Sequence, residues 1–136
     1  MNDTSEWDLW TDETTNVINW PSLGSYNVNF TKYNIIYQGI FDGNHKTIRG
    51  LYRKNPGYDN QGGLIGYIGR SGALKNLTIE KSYATACAVF AGFNNGSVTN
   101  CTAGRLRTKY CGHGGAVFVY KNYGIMDACV NTADVE

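Results

Sequence analysis

A unit of about 25 residues recurs three times in this sequence, a length typical of solenoid repeats, in which each unit packs against the next one. Each copy has a short apolar run, a turn that contains glycine, and a second run that is typical of a β-strand. The turns are matched at Gly72, Gly96 and Gly124, and the second interval is slightly longer than the first. The repeat therefore constrains the fold more than any other feature of the chain.

Other matched residues predict how one repeat lies on the next. Asn76 and Asn100 are separated by the same interval as Gly72 and Gly96, and Cys101 and Cys129 by the same interval as Gly96 and Gly124. This length fits one turn of a coil made of three short strands, in which equivalent residues stack about 4.8 Å apart. We therefore predict an all-β fold, a short parallel β-helix (solenoid) of three or four rungs, each rung being one turn of the coil. Asn76 and Asn100 are expected to form a hydrogen-bonded ladder that ends at Ala128.

The beginning of the chain is predicted to form an N-terminal cap. Trp7, Trp10 and Val17 fall near one helical face, so a short helix or irregular lid is expected to cover the open end of the core. Residues 1–36 are assigned to this cap and the first strands, and residues 37–136 to the β-helix repeats, within one domain. A leucine-rich repeat is the weaker alternative, since most copies lack its leucines.

One segment resembles a known family. Gly63-Leu64-Ile65-Gly66 matches the core of the GLUG-repeat family of bacterial surface proteins, and residues 39–51 resemble the segment that often precedes such repeats. The second and third copies have alanine and valine in place of the glycines. The resemblance covers roughly residues 37–130. It implies a right-handed parallel β-helix, a role in adhesion or surface display, and no catalytic residues.

The net charge of +1 conceals a basic body between acidic ends. Residues 1–13 carry five acidic residues and no Lys or Arg, and residues 127–136 carry three acidic residues and no Lys or Arg. Residues 14–126 hold all 12 Lys and Arg against three acidic residues, a net charge of +9. Such an asymmetry indicates either ordinary solvated charge or a surface for an acidic partner.

The run from Arg105 to Tyr110 is the clearest candidate for a binding surface. Arg105, Arg107 and Lys109 would share one face of a strand, while the intervening Leu106 would point inward. Lysines and tyrosines of adjacent repeats could extend this basic stripe. It would suit an acidic protein surface, a nucleic-acid backbone or an anionic glycan. The predicted binding residues are Lys75, Lys81, Arg105, Arg107, Lys109, Tyr110, Tyr120 and Lys121.

No catalytic residues are predicted. Glycoside hydrolysis needs two carboxylates a few ångströms apart, and the basic body offers only Asp42, Asp59 and Glu80, at unrelated repeat positions. Asp42 could pair with His45 as acid and base. The sequence Asp42-Gly43-Asn44 is better explained as a turn between two strands, in which the glycine supplies a positive φ.

No metal site or other cofactor is predicted either. Cys111 and His113 lie close together, but no Cys-x-x-Cys pattern occurs among the four cysteines. Cys101 and Cys129 would stack at a distance compatible with a disulfide, yet small buried thiols are the favoured interpretation. No run of 18 apolar residues occurs, so no membrane span is expected.

We therefore predict a non-enzymatic binding module that presents a basic, tyrosine-bearing β-helix face to a protein partner. It would be a surface adhesin module or a small intracellular inhibitor of a larger complex. The alternatives are nucleic-acid or polyanion binding and a glycan-processing enzyme. The family resemblance favours the cell surface or secretion, whereas the absent signal peptide and four reduced cysteines favour the cytoplasm. An uncovered last rung would permit end-to-end self-association.

Overall fold

The protein is built almost entirely of short β-strands. The computed structural model describes residues 2–24, 35–54, 63–85, 88–108, 116–132 and the backbone of 134–135. In these ranges the one helical element is a single 3-10 turn at Trp7–Leu9, and no helix is long and apolar enough to cross a membrane. The predicted all-β class is confirmed. The strands are β1 (Ile40–Arg49), β2 (Tyr52–Arg53), β3 (Ile65–Ile68), β4 (Ala73–Glu80), β5 (Tyr83–Ala84), β6 (Ala91–Asn94), β7 (Ser97–Ala103), β8 (Arg107–Thr108), β9 (Val119–Asn122), β10 (Ile125–Asp127), β11 (Val130–Asn131) and β12 (Asp134–Val135).

These strands form three parallel sheets. The five-stranded sheet has the order β1-β4-β7-β10, and β11 also pairs with β7. The four-stranded sheet has the order β12-β8-β5-β2, and the three-stranded sheet the order β3-β6-β9. Up to β10, each strand pairs with the strand three places later in the chain. Up to β10, each sheet therefore takes one strand from every successive repeat.

The strand register has the same sequence offsets as the matched residues. Leu74 on β4 lies opposite Val98 on β7, which is the offset that separates Asn76 from Asn100. Val98 lies opposite Met126 on β10, which is the longer offset that separates Cys101 from Cys129. Matched residues of successive repeats thus stand side by side on neighbouring strands.

One apolar core joins the inward faces of the three sheets. Its buried residues come from all three, for example Ile65 on β3, Leu74 on β4 and Ala84 on β5. Side chains alternate between the two faces of a strand, so every second residue points into this core. Leu106 is 2% exposed and belongs to the same cluster, which confirms its predicted inward direction.

The turn expected at Asp42 is not where β1 ends. The strand continues and pairs with β4 on both sides of a bulge that follows Asp42. The positive φ angles are those of Asn44 and His45, at 50° and 58°, so the prediction for Gly43 is wrong. Gly43 instead permits a close approach, since a Cβ there would lie 2.5 Å from the carbonyl oxygen of Asn76.

Residues 2–20, the N-terminal segment, lie along the side of the repeats. Trp10 is 3% exposed and packs edge-to-face against Tyr52, with ring centroids 5.9 Å apart. Tyr52 in turn stacks on Tyr83 of the next repeat at 5.6 Å. The segment therefore contacts the outer face of the four-stranded sheet, which the prediction of a lid over the core end did not anticipate. Residues 25–34 of the predicted cap and first strands lie outside the described residues.

The last strands expose apolar side chains. Ile125 on β10 and Val130 on β11 are 62% and 55% exposed. Both strands pair with β7 along one of their edges. End-to-end self-association through this edge stays a prediction.

Candidate binding surface

Three matched residues form a row across the four-stranded sheet. Tyr52 pairs with Tyr83, and Tyr83 pairs with Arg107, on β2, β5 and β8. Their neighbours Leu51 and Leu106 are buried in the core, so the three side chains point to the opposite, outer face. We call these three residues the Tyr–Arg row.

Arg107 binds the backbone of the N-terminal segment. Its Nη1 donates hydrogen bonds to the carbonyl oxygens of Asp8, at 2.7 Å, and Trp10, at 2.8 Å. The guanidinium also lies 5.8 Å from the ring centroid of Tyr83, a cation–π distance. The arginine therefore joins the row to an acidic stretch of the same chain.

The hydroxyls of the two tyrosines in the row donate hydrogen bonds to the residues that follow Trp10. The Tyr52 hydroxyl donates to the carbonyl oxygen of Thr11 at 2.6 Å, and the Tyr83 hydroxyl donates to Oδ1 of Asp12 at 2.8 Å. Burial and the hydrogen bond to Asp12 raise the pKa of Tyr83, and burial raises the pKa of Tyr52. Both hydroxyls therefore stay protonated at neutral pH and act as donors.

Two exposed cations lie beside the row at the turns between the five-stranded and four-stranded sheets. The backbone N–H of Lys81 donates to the carbonyl oxygen of Arg105, which sets the two turns next to each other. The Arg105 guanidinium lies 5.9 Å from the ring centroid of Trp7. We call Lys81 and Arg105 the cationic corner. Nearby, Arg49 makes a 2.6 Å ion pair with Glu80.

The structure therefore brings together three of the predicted binding residues, Lys81, Arg105 and Arg107. It places three others on different sheets: Lys75 on β4, and Tyr120 and Lys121 on β9. These three do not extend the row on its own sheet, and their role as binding residues stays a prediction. The remaining two predicted residues, Lys109 and Tyr110, lie outside the described residues.

Asp42 has a structural role at the bulge of β1. Its Oδ1 accepts hydrogen bonds from the backbone N–H of Asn44, at 2.9 Å, and from the side-chain amide of Asn76, at 3.2 Å. The first of these bonds, then the second, lowers the pKa of the carboxyl. Such a carboxylate stays ionised near neutral pH, which does not suit a general acid.

Cys101 is buried and Cys129 is partly buried, and both are free thiols. Burial raises the pKa of Cys101 to about 12. Among the described residues, no three His, Cys, Asp or Glu side chains cluster as metal ligands would. Cys87, Cys111 and His113 lie beyond the described part of the chain.

Neither tyrosine of the row is among the predicted binding residues, and neither are Thr11 and Asp12, which they bind. The interval between Tyr83 and Arg107 equals that between Asn76 and Asn100, so the repeat could have identified that pair. The interval between Tyr52 and Tyr83 is longer than either repeat length. It could not have been recognised, because the chain between β2 and β4 is longer than the matching part between β5 and β7.

The chain is similar to part of halomucin from Haloquadratum walsbyi, with 40% identity over 70 residues. The match covers 49% of this chain, and the chain spans 1% of the length of halomucin. No family model and no solved structure matches the chain.

Proposed function

We propose that the protein is a non-enzymatic binding module that presents the outer face of a parallel β-helix to an acidic segment of a protein partner. A coil with three strands per turn is supported by the three parallel sheets, each of which takes one strand per repeat. Crossovers between parallel strands are nearly always right-handed, which supports the right-handed form of the GLUG-repeat family.

Residues 1–36 would close the first end of this β-helix. The backbone N–H of Trp20 donates to the carbonyl oxygen of Tyr52 at 2.8 Å, and Leu23 forms a parallel bridge with Ile65. These contacts lie at the first edges of two sheets. Pairing of this kind satisfies backbone groups that an open edge would leave exposed, and it supports the assignment of a cap.

The observation that carries the binding function is the contact between the Tyr–Arg row and residues 8–12. These residues belong to an acidic stretch, and the row holds them through one arginine and two tyrosine hydroxyls. A face that already binds an acidic polypeptide of its own chain has the chemistry to bind another. Lys81 and Arg105, which are exposed beside the row, would meet the carboxylates of the partner.

A protein partner is favoured over nucleic acid by the kind of group that the row contacts. Arg107 and Tyr52 donate to peptide carbonyl oxygens, and Tyr83 donates to a side-chain carboxylate. Nucleic-acid binding would instead rest on many cations along one face. Two lysines that could have extended the basic stripe, Lys75 and Lys121, lie on other sheets. A surface adhesin module and a small inhibitor of a larger complex would use the same face.

The test is a binding comparison by fluorescence anisotropy with three labelled probes: polyglutamate, single-stranded DNA and an anionic glycan fragment. Polyglutamate should bind best, and the double variant Lys81→Ala/Arg105→Ala should weaken its binding about fivefold. Arg70→Ala is the control, because Arg70 is also exposed but lies in the turn after β3. Equal or tighter binding of DNA would favour the polyanion alternative, and no binding of polyglutamate at low salt would refute the proposal.

A further inference from the structure

We infer that the Tyr–Arg row is a peptide-recognition site for the pattern Trp-x-Asp, which the chain's own N-terminal segment occupies. A partner that carries this pattern in an acidic stretch would bind by displacing the segment. The inference rests on the proposed function, and it specifies which part of the partner is recognised.

The pattern follows from three successive residues, each held by a different group. Trp10 packs its ring against Tyr52, the carbonyl oxygen of Thr11 accepts from the Tyr52 hydroxyl, and the carboxylate of Asp12 accepts from Tyr83. Trp10 has an extended backbone, with φ −64° and ψ 139°. In an extended chain residues i and i+2 point the same way, so the tryptophan and the aspartate can reach the same face.

Recognition depends on side chains at two of the three positions. The indole of Trp10 is 3% exposed, and the Tyr83 hydroxyl bonds to a carboxylate oxygen of Asp12. The contacts of Arg107 go to carbonyl oxygens, which every peptide has. Arg107 would therefore bind this backbone conformation whatever its sequence, while the two tyrosines select a large aromatic residue and, two residues later, an acid.

The row holds the most buried side chain of the N-terminal segment. Trp10 is the one buried residue between Asn2 and Asn19, all of which the structure describes. Leu9 and Ile18 are 70% and 76% exposed. Elsewhere the segment is attached by hydrogen bonds of the Asn2 side chain with the backbone of Gly50 and of the Asn19 side chain with the backbone of Lys54. A competing peptide with its own tryptophan and aspartate would replace most of what the segment contributes at the row.

Tethering gives the segment an advantage that a partner must overcome. A segment joined to its site by a short link has an effective concentration on the order of millimolar. The cationic corner offers a partner the extra contacts, since Lys81 and Arg105 are exposed beside the row. An acidic stretch flanking the Trp-x-Asp pattern could therefore bind both the row and the corner.

The experiment uses the full chain and a labelled peptide of residues 6–14, with fluorescence anisotropy as the readout. Wild-type protein should bind this peptide weakly, because the tethered segment occupies the row. Trp10→Ala in the protein should tighten binding about tenfold by loosening the segment. Ile18→Ala is the matched control within the segment and should leave binding unchanged.

Peptide and protein variants then test the contact itself. In the Trp10→Ala protein, Tyr83→Phe should weaken binding of the natural peptide about fivefold but should not affect a peptide with Asp12→Ala. If Trp10→Ala lowers the folded fraction, as judged by circular dichroism, Asp12→Asn in the protein serves as the milder loosening variant.

Three results would overturn the inference: no tightening in a folded loosened variant, equal binding of a scrambled peptide, or equal effects of Tyr83→Phe on both peptides. Light scattering would also detect a dimer in which two copies exchange their N-terminal segments. If such a dimer forms and is lost on Arg107→Ala, the partner is a second copy of the chain, and the inference of a different partner is overturned. If polyglutamate binds through Lys81 and Arg105 but the Trp-x-Asp peptide does not, the inference fails while the proposed function stands.

Discussion

The side-chain amide of Asn100 donates a 2.8 Å hydrogen bond to the side-chain oxygen of Asn76 on the neighbouring strand. Both residues have positive φ, at 51° and 56°, a conformation that asparagine tolerates better than most residues. Ala128 has the same conformation, with φ 52°, at the matched position of the next repeat. The ladder thus coincides with a bend in each strand, and its last position carries a residue poorly suited to that bend.

Ala128→Asn should therefore stabilise the protein. Asparagine relieves the cost of positive φ and offers an amide to Asn100, so we expect the free energy of unfolding to rise by about 1 kcal/mol. Urea unfolding with an unchanged m-value measures this. Ala128→Gly is the control that relieves the backbone without extending the ladder, and it should stabilise less. A less stable Ala128→Asn protein would contradict the ladder at this position.

Gly96→Ala should be strongly destabilising. A Cβ at Gly96 would lie 2.1 Å from the carbonyl oxygen of Gly72 and 2.4 Å from that of Gly69, so two backbones would have to separate. We expect a loss of about 3 kcal/mol, measured by thermal unfolding. Gly39→Ala is the control, since its Cβ would meet the hydroxyl end of the Tyr37 side chain at 3.1 Å. Similar melting temperatures for both variants would refute the close stacking of the glycine turns.

Two cysteines should differ in reactivity. Burial raises the pKa of Cys101 to about 12, so it holds almost no thiolate at neutral pH. Cys129 lies at the outer edge of the same sheet and is partly exposed. Alkylation followed by peptide mapping should label Cys129 in the folded protein and Cys101 only after denaturation. Labelling of both at similar rates would show that the core around Cys101 is open.

Stability should fall in alkaline solution. The raised pKa of Tyr83 means that the folded protein keeps this proton at a pH where the unfolded chain, with a pKa near 10, releases it. The stabilisation is fully present below about pH 10 and is lost as the pH rises above it. Tyr83→Phe should lose a few degrees of melting temperature near pH 8, and this deficit should shrink by about pH 11. A difference in melting temperature that does not change with pH would contradict the raised pKa of Tyr83.

Much of the fold could be predicted from the sequence because repeat position determines the neighbour. The interval between matched glycines predicted the pairing of Asn76 with Asn100, and strand alternation predicted the inward direction of Leu106. The bulge in β1 could not be predicted in this way. Residues 43–45 of β1 stand opposite the single residue Asn76 of β4, and the repeat spacing does not indicate the two extra residues.

The candidate site was less accessible to sequence reasoning. The contacts of Arg107 with Asp8 and Trp10 join distant parts of the chain that no repeat spacing relates. A second row, the stacked rings of Tyr67, Phe93 and Tyr123, was not predicted either. Their ring centroids lie 4.5 Å and 5.1 Å apart. Both intervals in this row are slightly longer than the corresponding intervals between the glycine turns.

The stacked repeats create an outer face that holds residues 8–12. This arrangement can be measured by nuclear Overhauser effects between aromatic side chains, since the ring centroid of Tyr52 lies 5.6 Å from that of Tyr83 and 5.9 Å from that of Trp10. We expect cross-peaks between Tyr52 and Tyr83 ring protons, and between the Trp10 indole and Tyr52. A Trp10 indole with random-coil chemical shifts and no cross-peak to either tyrosine would contradict it.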